Sequence, residues 1–140
     1  MTNTKSTKRS LKKNSTTKTP SKEWTEGRFR AFITSTLRGG FRRFPPKYTV
    51  LKAAYSGKKL NKATKRQCMH YVCNSCKKEF PSKEVNVDHI LPVVDPITGF
   101  VDWNTFIDRL FCKEENLQVL CSKCHTEKTK QERQVRNDQR

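Results

Sequence analysis

The chain has 140 residues, a hydrophobic content of 33%, a mean hydropathy of −0.89 and a formal net charge of +17. Such a chain suits one domain with extensions and cannot bury a large core, so we expect a metal staple to contribute to its stability. No segment offers the roughly 20 apolar residues of a membrane span, and no secretory signal is predicted. We expect a soluble, intracellular protein with reduced cysteines.

The positive charge is concentrated in the first half of the chain. Residues 1–66 contain 19 Lys or Arg and only two acidic residues, whereas residues 67–140 contain 11 of each sign. Within residues 1–22, Ser, Thr, Lys and Arg occupy 17 positions and no aromatic residue occurs. This composition predicts a disordered basic tail, either a solubilising leader or a non-specific grip on a polyanion.

Residues 23–66 are predicted to form a basic helical extension. Apolar residues at helical spacing predict one helix over about 22–37, and a second that follows Pro45-Pro46 and ends at Gly57. Residues 28–66 carry twelve basic residues and no acidic one, and a face of one sign is typical of phosphate contacts. We therefore predict that nucleic-acid phosphates are bound by Arg28, Arg30, Arg38, Arg42, Arg43, Lys47, Lys52, Lys58 and Lys59.

Two Cys-x-x-Cys pairs enclose a segment of 44 residues. Each pair can present two thiolates to one ion, so the two pairs together predict a tetrahedral structural zinc site made by Cys73, Cys76, Cys121 and Cys124. The zinc would join the two ends of the enclosed segment. Two further cysteines, Cys68 and Cys112, are interpreted as buried or idle thiols, with zinc ligation as the alternative.

Short elements are predicted inside and after this clamp. A strand that begins at Val85 ends with Asp88 and His89, and a turn follows over 95–99. A helix is expected after Asp102, and a short apolar segment with Leu117, Val119 and Leu120 leads to the second cysteine pair. The terminal helix is predicted from Ser122 to about residue 136, with His125 in its first turn. His70 and Asp95 are interpreted as structural.

Three pieces of this segment resemble one known motif. They are Val87-Asp88-His89-Ile90, Asn116-Leu117 and Cys121-x-x-Cys124-His125-x-x-Lys128-Thr129, with nine residues from Asn116 to His125. Together they resemble the HNH endonucleases over residues 72–129, and in particular the small HNH proteins that bacteriophages encode. The resemblance implies an α+β fold in which residues 67–140 form a ββα-metal module stapled by the four-cysteine zinc site.

The resemblance also implies roles for individual residues. His89 would be the general base, Asp88 and His125 would bind the catalytic divalent ion, and Asn116 would hold the loop and the His89 ring. The implied ion is Mg²⁺ or Mn²⁺, with Ni²⁺ or Zn²⁺ also compatible with an imidazole ligand. Lys128 is added to the predicted DNA contacts. The expected activity is hydrolysis of phosphodiester bonds that nicks or cuts duplex DNA and leaves a 5′-phosphate.

Alternative interpretations remain open for the residues and for the function. His89 alone could be a buried core histidine, and His125 could replace one cysteine at the zinc. The whole chain could be a non-catalytic zinc-containing module that binds DNA or RNA, or an RNA-processing protein. If the protein is phage-encoded, we expect it in the bacterial cytoplasm, where genome packaging, DNA mobility and host DNA degradation would all use the same chemistry.

Overall fold

The computed structural model describes Pro20 and residues 23–140. The predicted disordered tail therefore lies outside the described residues, apart from Pro20. The chain divides into two compact units, one that ends at Ser35 and one that spans Thr36–Arg140. Among the described residues, no helix is long and apolar enough to cross a bilayer.

The first unit contains a small aromatic contact beside the start of the first helix, α1 (Glu26–Gly40). The Trp24 and Phe32 rings meet edge to face with their centroids 5.2 Å apart, and the Arg28 guanidinium lies 4.8 Å from the Trp24 ring. Thr25 caps the helix, because its hydroxyl oxygen accepts a hydrogen bond from the Arg28 N–H over 3.2 Å.

The second helix is shorter than the sequence predicted. A 3₁₀ turn at Phe41–Arg43 leads into α2 (Pro45–Ala54), where the two prolines occupy the first turn and require no N–H partner. Helical structure stops at Ala54, so the predicted end at Gly57 was wrong. Gly57 instead has φ of +113° at an irregularity in a β-hairpin, a conformation that favours glycine.

That hairpin was not predicted. Strands β1 (Tyr55–Asn61) and β2 (Arg66–Val72) pair antiparallel, and β3 (Glu79–Pro81) adds to β2 to complete a three-stranded sheet. The expected helical extension over 23–66 therefore ends in a strand, and the hairpin pairs across the expected boundary at residue 66. The sequence of β1 has no β-branched residue, so its pairing with β2 decides the conformation rather than its own propensity.

A second sheet carries the predicted strand ends. Strand β4 (Val85–His89) pairs antiparallel with β5 (Leu117–Cys121), and the register places Asp88 opposite Gln118 and His89 opposite Leu117. Helix α4 (Ser122–Asp138) follows β5 directly and packs on both strands. The chain is therefore α+β, with a two-stranded sheet and a helix arranged around the end of β4.

The second unit contains two clusters of buried apolar residues. Cys73, Leu120 and Cys121 form one, with Phe80 and Cys124 packed against it. The other is centred on α3 (Trp103–Leu110), whose Phe106 and Leu110 are buried together with Val93. The predicted Asp102 cap of α3 is confirmed, because its carboxylate accepts a hydrogen bond from the Thr105 N–H over 2.7 Å.

Candidate metal centre and active site

The four cysteines of the two pairs form one cluster. The Sγ atoms of Cys73, Cys76, Cys121 and Cys124 all lie within 4.8 Å of one another. Four thiolates on a tetrahedral ion with bonds of about 2.3 Å are roughly 3.8 Å apart, so this set is close to the spacing that one such ion requires. The cluster can hold a structural metal ion. Cys68 and Cys112 lie outside it and are half-buried.

Backbone hydrogen bonds shape the first cysteine pair into a tight turn. The Cys73 N–H donates to the Lys78 carbonyl, and the Lys77 N–H donates back to the Cys73 carbonyl, each over 2.9 Å. Lys77 adopts φ of +61°, which closes the turn. The neighbouring Asn74 N–H donates to the Val119 carbonyl over 2.8 Å, so the turn is fastened to β5.

The second cysteine pair begins helix α4. Cys121 is the N-cap residue, and its Sγ accepts a hydrogen bond from the Cys124 N–H over 3.4 Å. The partial positive charge at a helix N-terminus favours thiolates and other anions. The same helix start carries His125, so the cysteine cluster fixes the position of this imidazole relative to the end of β4.

The thiols of the cluster differ in acidity. Burial opposes ionisation of Cys73, but backbone N–H groups of Cys121, Cys76 and Ser75 outweigh it and lower the Cys73 pKa to about 6. A hydrogen bond with the Cys121 thiol, together with burial, raises the Cys124 pKa to about 11. A metal ion that binds all four sulfurs must therefore displace a proton from Cys124 at neutral pH.

Asp88, His125 and Lys128 meet beside this cluster. The Asp88 side chain is 14% exposed, and its Oδ1 lies 3.7 Å from His125 Nε2 while its Oδ2 lies 3.2 Å from Lys128 Nζ. Lys128 also pairs with Glu132 one turn along α4 and donates to the His89 carbonyl over 2.9 Å. Burial disfavours its charge, but Glu132 and Asp88 outweigh burial and raise the Lys128 pKa.

Lys128 was expected to contact DNA. Its ammonium group has three N–H donors, and Asp88, Glu132 and the His89 carbonyl lie within reach of them. The side chain is therefore directed into the site, where it joins the end of β4 to the first turns of α4.

The His89 ring contacts a backbone carbonyl and an aromatic ring. Its Nε2 lies 2.8 Å from the carbonyl oxygen of Leu110, the last residue of α3, and its ring centroid lies 4.9 Å from that of Phe41. Because a carbonyl can only accept, Nε2 carries the hydrogen, and in the neutral imidazole Nδ1 then holds the lone pair. The fold thus selects the tautomer in which Nδ1 can accept a proton.

Asn116 holds the loop that follows β4. Its Oδ1 accepts from the Leu91 N–H over 2.9 Å, its Nδ2 donates to the Leu91 carbonyl over 3.4 Å, and its own carbonyl accepts from Ile90 N–H over 2.8 Å. These are the loop contacts that the sequence suggested. The expected contact with the His89 ring is made by the Leu110 carbonyl instead.

A chain of amides connects the cysteine turn with Asp88. Asn74 Nδ2 donates to Gln118 Oε1 over 3.0 Å, and Gln118 Nε2 donates to Asp88 Oδ2 over 3.1 Å. Gln118 can bridge in this way because it lies opposite Asp88 in the β4–β5 register. The orientation of the carboxylate therefore depends on the turn that presents Cys73 and Cys76.

The predicted DNA contacts occupy several places. Arg42 and Arg43 are exposed in the 3₁₀ turn, Lys52 is exposed on α2, and Lys58 and Lys59 are exposed on β1. Several of the predicted residues contact rings or acidic partners: Arg28 on Trp24, Arg30 beside Glu26, Arg38 near Phe106, Lys47 near Phe41 and Tyr48, and the exposed Lys59 with Glu79.

Two features of the site were not predicted from the sequence: the contact of Gln118 with Asp88, and the direction of the Lys128 side chain toward Asp88. Lys128 had a readable signal, because His125, Lys128 and Glu132 recur at helical spacing and share one face of α4. Gln118 had none, since only the β4–β5 register brings it opposite Asp88. The same is true of the Leu110 carbonyl, which is a backbone group of a distant helix end.

Comparisons of the chain with protein-family models, with curated proteins and with solved structures found no match.

Proposed function

We propose that this protein is a metal-dependent DNA endonuclease of the HNH type. The observation that supports the proposal most strongly is the meeting of Asp88 and His125, 3.7 Å apart, where Asp88 is followed in the strand by His89, whose Nε2 lies 2.8 Å from a backbone carbonyl. In the proposal these three residues supply what hydrolysis of a phosphodiester needs: two ligands for a divalent ion and a general base.

In this proposal the four-cysteine cluster binds zinc and has no catalytic role. Four thiolates complete a tetrahedral site, so no position is left for water or substrate. The zinc would hold the turn at Cys73 and the start of α4 together. Through Asn74 and Gln118 on one side, and through His125 on the other, it would orient both ligands of the catalytic ion.

His89 would act as the general base. With its Nε2–H donated to the Leu110 carbonyl, Nδ1 is the nitrogen that accepts the proton of the attacking water. The Leu110 carbonyl also stabilises the imidazolium that results, because it remains an acceptor for the Nε2–H. Phe41 and the α3 end restrict the ring to this orientation.

Asp88 and His125 would hold the divalent ion, for which Mg²⁺ and Mn²⁺ are the first candidates. A bound ion of this kind would neutralise charge on the scissile phosphate and on the leaving oxygen. Lys128 Nζ already lies 3.2 Å from Asp88 Oδ2, so the carboxylate is oriented before any ion arrives. With only two protein ligands, the proposed site leaves room for phosphate and water.

The experiment that tests the proposal is cleavage of a long, defined duplex by the purified protein. After removal of loosely bound ions, Mg²⁺, Mn²⁺, Ni²⁺ and Zn²⁺ are added separately, and the 5′ and 3′ ends of the products are determined. We expect ion-dependent nicks or breaks with 5′-phosphates, and we expect them to be lost in Asp88→Asn. A matched control, Asp108→Asn, changes an exposed carboxylate on α3 and should cut normally. Absence of cleavage with every ion would favour the non-catalytic zinc module that binds nucleic acid.

A further inference from the structure

The β1–β2 hairpin has one face that is exposed except at Tyr71, which is half-buried. In the antiparallel register Tyr55 lies opposite Tyr71, Lys58 opposite Met69 and Leu60 opposite Gln67, so these six side chains share one side of the hairpin. The Tyr71 hydroxyl reaches Met69 Sδ over 3.8 Å, which agrees with a shared side. We call this surface the ribbon face, and it consists of Tyr55, Lys58, Leu60, Gln67, Met69 and Tyr71.

The ribbon face is unusually apolar for an exposed surface. Tyr55 is 45% exposed, Leu60 53% and Met69 47%. The other side of the hairpin differs, because His70 is buried there, Cys68 is half-buried and Lys59 pairs with Glu79 from β3. Exposed apolar side chains that line up on one surface mark an interaction site more often than scattered ones do.

The charge of the same hairpin restricts what can cover it. Residues 55–72 contain Lys58, Lys59, Lys62, Lys65 and Arg66 and no acidic residue. A second copy of this chain would bring these like charges together. An uncharged partner would offer no anion to any of them, and only Lys59 has an acidic neighbour, Glu79, among the described contacts. Lysines on an edge strand also discourage strand pairing between copies, but that role does not explain the apolar row between them. A polyanion with apolar groups on its surface satisfies both features.

Hydrogen bonds define the turn at the tip of the hairpin. The Asn61 side chain accepts a hydrogen bond from the Ala63 N–H over 3.0 Å, and the Lys65 N–H donates to the Asn61 carbonyl over 2.7 Å. Lys65 closes the turn at φ of +56°. Lys62 and Lys65 therefore extend from a defined turn at the end of a two-stranded ribbon.

We propose that the β1–β2 hairpin enters the major groove of duplex DNA with its ribbon face toward the bases. A two-stranded ribbon fits a groove about 12 Å wide. Gln67 would read base edges, Leu60 and Met69 would contact thymine methyl groups, and Lys62 and Lys65 would bind the flanking phosphates. The inference rests on the proposed function for the identity of the ligand, and it adds the element that reads the duplex.

Two sets of variants test the ribbon. The face variant combines Leu60→Ser with Gln67→Ala. The tip variant combines Lys62→Gln with Lys65→Asn. Ile97→Ser, at an exposed apolar residue outside the hairpin, is the matched control. Affinity for a defined duplex is measured at several salt concentrations. We expect the face variant to bind at least about tenfold more weakly with an unchanged salt slope. The tip variant should reduce the slope of log affinity against log salt by about 1.8, or 0.9 for each lost phosphate contact.

The groove is tested with the unmodified protein and a modified duplex. Glucosylated 5-hydroxymethylcytosine fills the major groove, so it should weaken binding of the wild type and have little effect on the face variant. Equal binding of the wild type to both duplexes would overturn the proposal, as would equal affinity for duplex RNA, whose major groove is too narrow. The proposal would also be overturned if sedimentation showed a dimer for the wild type and a monomer for the face variant, because the ribbon face would then join two copies of the chain. Failure of the nuclease proposal is seen separately, as absence of cleavage by the wild type.

Discussion

Asp88 Oδ1 and His125 Nε2 lie 3.7 Å apart although 37 positions separate them in the sequence. The first residue ends a strand and the second lies in the first turn of a helix, and β5 joins the two elements. One cysteine pair of the cluster lies in the turn after β2, and the other lies at the start of α4. The proposed catalytic ligands are thus positioned by a structure that the four cysteines close.

Removal of any cluster cysteine should therefore unfold the module. We expect one zinc per chain by elemental analysis, and we expect Cys121→Ser to lose both the zinc and the cooperative thermal transition. Cys68→Ser and Cys112→Ser are the matched controls, because these thiols lie outside the cluster. A strong chelator should reproduce the effect in the wild type. A cooperative melt that survives complete zinc removal would contradict the stapling role.

Gln118 should act on the divalent ion through Asp88. Gln118→Ala removes the donor to Asp88 Oδ2 and the acceptor for Asn74, so the carboxylate loses its orientation. Partners of metal ligands typically change affinity or activity by 10–100-fold, and we expect a loss of about that size, visible as a higher ion concentration for half-maximal cleavage. Gln134→Ala, at an exposed position of α4 where the side chain contacts Asp138, is the control. An unchanged ion dependence would exclude Gln118 as a positioning residue.

Asn116 should stabilise the loop after β4 rather than take part in proton transfer. Asn116→Ala removes the hydrogen bonds of its amide with Leu91, and we expect the free energy of unfolding to fall by about 1 kcal/mol in denaturant melts. Cleavage should weaken moderately, with an unchanged dependence on pH. Asn104→Ala, an exposed position on α3, should not destabilise the protein. A shifted pH profile for Asn116→Ala would instead indicate a direct role at the His89 ring.

The basic residues at the start of the chain should add affinity without chemistry. Residues 1–22 carry seven Lys or Arg and no acidic residue. Deletion of this segment should weaken duplex binding and reduce the slope of log affinity against log salt by at most about 6, the value for seven released phosphate contacts. The cleavage rate at saturating protein should stay the same. If the slope does not change, these charges do not contact DNA.

The sequence predicted the four-cysteine cluster, but it did not predict all of the fold around the cluster. Cysteine spacing and the Asp88-His89 pair can be read directly, because metal ligands and strand ends have local signatures. The hairpin over 55–72 has no such signature, since Tyr55–Asn61 carries no β-branched residue and becomes a strand only by pairing with β2. The tautomer of His89 depends on the Leu110 carbonyl, which no pattern of side chains reveals.

If His89 is the base of a hydrolytic site, its replacement by Ala should slow the chemical step, and single-turnover cleavage by His89→Ala measures that step. Labelled duplex is saturated with protein in the ion that supports wild-type cleavage, and zinc content and duplex affinity are measured in the same preparations. His70→Asn is the control, because His70 is a buried histidine outside the site. We predict that His89→Ala lowers the cleavage rate by about 10²–10⁴-fold with zinc content and affinity unchanged. Cleavage by His89→Ala at the wild-type rate would exclude His89 as the general base.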